Sequence, residues 1–584
     1  MKIKFSKKIF LFLSFILSGS SIIFISCGGS SSSDISINNQ ENNISKSEYI
    51  KQLENQNGID YQNIYNKTAY IVPQCYTQTI DENNQIHNPC YACHTVGKEP
   101  NYVVDTDLQL NYDFPEIALN NPFSNFFRKD INEKLQSISD EDIINYVRQS
   151  NYIDKNGNII LKQNLPKDWK GYIPDCYFNF DDEGFDINPK TGEYTGWRAF
   201  RYYPFLGTFW PTNGSTDDVL IRLPEAFQKD ENGKFNKEIY KINLAIVEAL
   251  IKQKDIITEP LDEKLAGIDL DKDGKISIAT SVKYTWDKDK NSMSYVGLAK
   301  KLLQEGKIHL AGGLYPEGTE FLHTVRYIDW DENKNSIKLA PRMKEVRYMK
   351  KIYWMTYSDL KYIVDKELDE RNPSKSVSSF PSVDVFGGNY EEGLDNGVGW
   401  ILSGYIEDKK GNLRPQTNEE TLYCMGCHSG IGATTDSTFA FARKFEASDK
   451  EDILYGWLHW SQRDLKGIPD HKVRYQKYGD VYEYEFYLRN NKSGNEFRTN
   501  DEVINKFFNK DGSIKDDMVN KLHTDISILL YPSKERAIML NKLYKLIVNE
   551  QGFIKGREAI GDLERYVHKV LNPNQETGIK EPVY

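Results

Sequence analysis

Two five-residue segments constrain this chain more than anything else in it: Cys90-Tyr91-Ala92-Cys93-His94 in "NPCYACHT", and Cys424-Met425-Gly426-Cys427-His428 in "LYCMGCHSG". Each packs two thiols and an imidazole together, and any fold must place both groups where that triplet is useful. A redox disulfide of the thioredoxin kind needs a strand-then-helix context, which neither segment shows clearly, and it gives the following His no role. Zinc needs four Cys or His ligands at close spacing, and neither segment has a second pair nearby.

The recurrent His points to heme c. There each Cys adds across a porphyrin vinyl group, two intervening residues span the distance between the vinyls, and the adjacent His lies beneath the iron as its axial ligand. One reading serves both segments: the thiols hold, the imidazole ligates.

The N-terminus says where such a chain works. A basic head, "MKIKFSKK", precedes an apolar run, "IFLFLSFILSGSSIIFI", and "ISC" puts a small residue before Cys27, the pattern of a secretory signal over 1–26. "IFISCGG" resembles the lipobox of bacterial lipoproteins, which implies cleavage before Cys27 and lipidation of its thiol. A plain signal peptide or short membrane anchor is the alternative, since the apolar run borders on spanning length. The Gly, Ser and Asn tract that follows reads as a flexible linker over 27–55; a coil of about 20 residues reaches on the order of 25 Å. No Asp stands at position 28, as in lipoproteins sent to the outer membrane, so the expected location is the cell envelope, facing periplasm or surface.

"CYACH", "CMGCH" and the lipobox together resemble a diheme c-type cytochrome of the bacterial lipoprotein class. The resemblance covers few residues, so it bears on the cofactor and says little about the fold. It implies that Cys90, Cys93, Cys424 and Cys427 carry the vinyl thioethers and that His94 and His428 bind the two irons.

The second axial ligand sets potential and reactivity. Small monoheme cytochromes supply a Met some tens of residues downstream, yet the first Met after His94 is Met293 and, after His428, Met518. That gap excludes a small class I cytochrome c fold and turns attention to His or a vacant position. His323, in the strand-like "GTEFLHTVRY", and His87, in "IHNPCYACH", are the distal candidates, each set against the ordinary alternative of a hydrogen-bonded core histidine.

Two further cysteines, Cys75 and Cys176, are an even remainder in an exported chain and suggest a disulfide, against the alternative of two separate buried thiols. A calcium signal lies in "DLDKDGKIS": Asp269, Asp271, Asp273, the Lys275 carbonyl and Ser277 match an EF-hand-like loop, with Gly274 at the sharp turn. Thr280 stands where a bidentate Glu is expected, so a carboxylate from elsewhere must complete the site. An acidic turn without an ion is the alternative.

Strand-like pieces ("WRAFRYYPF", "SIKLAPRMKEVRY", "DVYEYEFYLRN") alternate with helical ones ("INLAIVEALIKQ", "SYVGLAKKLLQEG", "TYSDLKYIVDKELDE", "SKERAIMLNKLYKLIVNEQ"), giving a large mixed α+β fold with long loops. The Ser and Pro stretch at 371–389 reads as a boundary, or as a long surface loop within one large domain, between a first heme region over 56–370, with the calcium loop, and a second over 390–584, with a helical C-terminus. A net charge of −11 argues against nucleic acid and favours a basic redox protein as partner.

Electron transfer at the envelope is the leading reading. A peroxidase-like diheme oxidoreductase with one five-coordinate catalytic heme is the runner-up, and a structural lipoprotein stabilised by heme a third class.

Overall fold

A nine-stranded sheet organises the molecule, and long-range pairing builds it. The computed structural model describes residues 44–205, 216–370, 386–446, 456–492, 501–557 and 566–584; the signal segment, Cys27 and most of the 371–389 stretch lie outside them. In chain order the strands are β1 (Phe185–Ile187), β2 (Tyr194–Phe200), β3 (Thr216–Arg222), β4 (Glu320–Asp331), β5 (Ser336–Lys351), β6 (Gly388–Asn389), β7 (Gly393–Asp395), β8 (Trp400–Glu407) and β9 (Leu413–Pro415). The antiparallel order is β6-β7-β8-β5-β4-β3-β2-β1, with β9 also on β8. Aromatic and β-branched residues in β4 and β5 suit a pleated surface buried on both faces.

Helix α3 (Lys237–Lys252) packs on one sheet face. The Asn236 side chain caps it by accepting from the Glu238 and Ile239 amides at 3.0 and 3.2 Å. The helix is buried from Ile239 to Ile251, as expected of one apolar nearly all round. On the other face, α1 (Lys46–Asn57) inserts Tyr49, Ile50 and Leu53 beside Trp197, Leu220 and Leu322. Ser45 caps α1, so the expected linker does not run to residue 55: ordered packing begins at its N-cap.

The described residues do not divide into two units at 371–389, because β8, beyond the stretch, pairs with β5, before it, in seven consecutive register positions from Trp400↔Lys351 to Ile406↔Glu345. "DVYEYEFYLRN" is a correction too: only its first residues end a short strand, Gly479–Tyr482, and Glu483–Asn491 is helical, burying Tyr484, Tyr487, Leu488 and Asn491 at helical spacing. The mixed helix-and-sheet class expected from the sequence holds.

Candidate cofactor site

The second thiol segment sits at the end of α4 (Asn418–Met425), which begins in a capping box: the Glu420 amide donates to Thr417 Oγ at 3.1 Å and the Thr417 amide to the Glu420 carboxylate at 2.9 Å. Arg414 grips the same carboxylate through two bonds of 2.9 and 2.8 Å. Cys424 lies in the last turn, and the Cys427 and His428 amides fold back onto its carbonyl. Gly426 is required by close approach, since a Cβ there would collide with the Tyr70 carbonyl oxygen.

His428 is oriented from behind. Its Nδ1 lies 3.1 Å from the Ser437 carbonyl, so Nδ1 carries the hydrogen and the lone pair stays on Nε2. Burial pushes this imidazole down to about 4, keeping it neutral near pH 7. The carbonyl belongs to a tight turn in which Thr435 and Thr438 exchange backbone bonds while Asp436 and Ser437 take φ of 47° and 62°. Left-handed backbone at two successive non-glycine residues is costly and persists only where surroundings impose it. Here the Asp436 carboxylate accepts from the buried Lys351 ammonium at 2.5 Å and from the Tyr315 amide at 2.9 Å. A buried ion pair thus holds a strained turn that aims one carbonyl at one imidazole.

His428 borders a slot of about 170 Å³ between α4 and the sheet, lined by Cys424, Cys427 and His428 on one side and by Phe321, His323, Val325 and Arg347 on the other. His323 is mid-sheet, registered between Val219 of β3 and Arg347 of β5. The structure therefore brings one of the two expected distal histidines to the same cavity as His428.

The first segment forms a four-residue helix, α2 (Cys90–Cys93), with His94 at its end. Tyr91 is buried against Phe486 and Tyr487, and the His94 carbonyl accepts from Gln109 at 2.6 Å. Behind the ring lies a carboxylate: His94 Nδ1 is buried with no hydrogen-bond partner, 3.7 Å from Asp105 Oδ2. In front is a wider cavity of about 540 Å³, with Tyr112, Phe114, Val103 and Met425 on its walls and no histidine other than His94 among its described lining residues.

Although 334 positions separate Cys90 from Cys424, the two segments meet. The Ala433 amide donates to the Cys93 carbonyl at 3.2 Å, and Asn101 donates to the Ile431 and Thr434 carbonyls at 2.7 and 3.0 Å. Gly432 lies so close to Thr95 that a Cβ would strike its carbonyl oxygen. Val72, Gln74 and Cys427 line both cavities.

The donors do not form a zinc centre: among the described residues, the one trio of His, Cys, Asp or Glu ligand atoms within 4.8 Å of one another is Glu263, Asp269 and Asp271. Burial pushes the Cys427 thiol up to about 12 and those of Cys90 and Cys93 well above their usual range, opposite to an activated redox thiol.

His87 is engaged elsewhere. Its Nδ1 faces the Asn490 carbonyl and its Nε2 the Asp81 carboxylate, both at 3.0 Å, so two acceptors occupy the ring, and it lines neither cavity. The expected Cys75–Cys176 disulfide is not formed; both thiols are free. Cys176 is fully buried beside Tyr152 and Trp197, whereas Cys75 belongs to the Tyr76 and Phe114 cluster and lines the wide cavity.

The acidic loop follows the strand Ile256–Asp262, whose antiparallel partner is Ile278–Val282. Glu263, invisible to the motif, converges with Asp269 and Asp271, their carboxylate oxygens lying within 4.8 Å of one another. Asp269 Oδ1 is buried without a partner. Asp273 accepts from the Lys275 amide at 2.7 Å, and the Ser277 amide donates to Glu263 at 2.8 Å, so Asp273, Lys275 and Ser277 shape the loop and stand outside the converging trio.

A family model described as "-like lipoprotein" matches residues 59–525. An "Uncharacterized lipoprotein" of Aquifex aeolicus (strain VF5) is 32% identical over 552 residues, covering 85% of this chain and 86% of that one. No solved structure matches the chain. Among the described residues no helix is long and apolar enough to cross a membrane.

Proposed function

The chain belongs to this "-like lipoprotein" family, and from that premise we propose that it is an exported, lipid-anchored c-type cytochrome holding two hemes and passing electrons between partners at the cell envelope. The observation that carries the reading is the convergence of two CxxCH segments from opposite ends of the chain on adjoining cavities that share Val72, Gln74 and Cys427. Apolar lining, a free Nε2 on a neutral His428 and a buried, unpartnered Nδ1 on His94 fit a ring fastened at each site.

Heme bound there supplies one-electron chemistry. Cys90, Cys93, Cys424 and Cys427 fasten it, and His94 and His428 offer Nε2. The Ser437 carbonyl fixes the His428 tautomer, and the Asp105 carboxylate, 3.7 Å from His94 Nδ1, would tune that ligand's basicity by its charge. His323, which lines the same slot as His428, is the residue that would approach a ring there from the opposite side. Lipid on Cys27 tethers the chain, in the outer membrane by the lipobox context, and its net charge of −11 steers a basic redox protein. Calcium at Glu263, Asp269 and Asp271 would brace the acidic loop.

A second reading, a diheme oxidoreductase, is favoured by the first site alone: its cavity is wide and offers no second histidine among the described residues. Spectra of protein made with a working cytochrome maturation system decide. Two low-spin hemes support the carrier, and one high-spin heme that binds peroxide supports the enzyme. His323→Ala converts a low-spin heme to high spin if His323 ligates; an unchanged spectrum removes that assignment.

A further inference from the structure

The two cavities have a wall in common. Val72, Gln74 and Cys427 line both, so Cys427, an attachment thiol of the second segment, is also part of the cavity that fronts His94. The second segment goes on building that cavity: Met425 and Gly426 before Cys427, and Gly430, Ile431 and Thr434 after it, all line the wide one. The seat beside the first segment is therefore made in part from the second.

Backbone bonds hold the segments in this contact. The Cys93 carbonyl accepts from the Ala433 amide, Asn101 bridges the Ile431 and Thr434 carbonyls, and Gly432 lies against the Thr95 carbonyl oxygen. The thiols are neighbours as well. Burial raises the Cys93 thiol well above its usual range, and Cys427 adds more to that rise than Cys90, the other thiol of the same motif. Groups attached on the two sides of such a wall feel each other's charge, because unit charges about 10 Å apart at an effective dielectric of about 20 shift an equilibrium about tenfold.

We propose that the two sites work as one interacting redox pair, in which an electron taken up at one site makes uptake at the other harder, with Cys427 as the contact between them. This rests on the heme reading. Each step moves one electron from a redox protein donor to one iron; the donor is oxidised and the iron reduced by one electron, and no bond is made or broken. The consequence for function is a chain that holds exactly one electron over a wider span of potential than two independent sites would allow.

The test uses the full chain produced with the maturation system, with heme content measured first, beside two single-heme variants, Cys90→Ala with Cys93→Ala and Cys424→Ala with Cys427→Ala. The two wild-type midpoints should lie further apart than the midpoints of the two variants by about 59 mV, a tenfold change in reduced-to-oxidised ratio. The oxidised wild type should also show spin–spin broadening in electron paramagnetic resonance that both variants lack. A wild-type titration and spectrum that are each the sum of the variants' own overturn the pair and leave the heme reading standing. Should a variant fail to fold, the wild type alone decides: broadening that disappears when one electron is added supports the pair, and an unbroadened oxidised spectrum overturns it. Colourless protein overturns the heme reading and the pair with it.

Discussion

The two CxxCH segments share a motif and little else, and the contrast separates what a motif specifies from what its surroundings add. His428 is backed by a carbonyl in a strained turn, faces a narrow slot and has His323 across from it. His94 is backed by a carboxylate at 3.7 Å and faces a cavity of about 540 Å³ with no second histidine among the described lining residues. On the proposed reading, attachment is local to five residues, while the surroundings of each imidazole come from Asp105, Ser437 and His323, all recruited from other parts of the chain.

The largest effect that would break the comparison targets the support of one site only. Lys351→Met leaves Asp436 buried without its cation, and denaturant unfolding should show a loss of about 3–5 kcal/mol. The spectrum of the His428 site should change while that of the His94 site holds. Equal disturbance of both would mean that the turn is not specific to His428.

Acid should act on the wide cavity as well as on His428. His568 packs edge-on against Tyr112, a wall of the wide cavity, and burial pushes its imidazole down to about 4. The unfolded chain takes up this proton near pH 6.5 and the folded chain only near pH 4. Stability is therefore fully present above pH 6.5 and falls between pH 6.5 and 4, by on the order of 3 kcal/mol. His568→Gln should flatten that segment of the stability profile, whereas an unchanged slope assigns the proton elsewhere.

Smaller effects sharpen the contrast. Gly426→Ala presses a methyl group onto the Tyr70 carbonyl and should cost about 1–3 kcal/mol in thermal or denaturant unfolding. Asp105→Asn removes the negative charge behind His94 and should raise the midpoint of that heme alone by about 59 mV, a tenfold shift in ratio. A shift at both sites, or at neither, would remove Asp105 from its positioning role.

Much of the local structure was legible in the sequence. Apolar spacing announces α3 and the helix Lys534–Glu550, and the strand-like "GTEFLHTVRY" runs into β4. What escaped was long-range. The 371–389 stretch has the composition of a boundary, yet nothing local reveals that β8 pairs with β5 across it. In "DVYEYEFYLRN" the aromatics satisfy both periods, and packing of Tyr484, Tyr487 and Leu488 decides for helix. Ser437, Lys351 and Glu263 bear no motif at all; each matters because folding sets it beside a residue that does. The Lys46–Asn57 helix was hidden in a polar tract, although Ser45 and the Tyr49, Ile50, Leu53 stripe were there to be read.

One measurement tests the central claim most directly: the thiol and heme count of the mature chain, denatured, after production with cytochrome maturation. The account predicts two covalent hemes and two titratable thiols, Cys75 and Cys176, from the six cysteines beyond the lipidated Cys27. Six reactive thiols on a colourless polypeptide would contradict it.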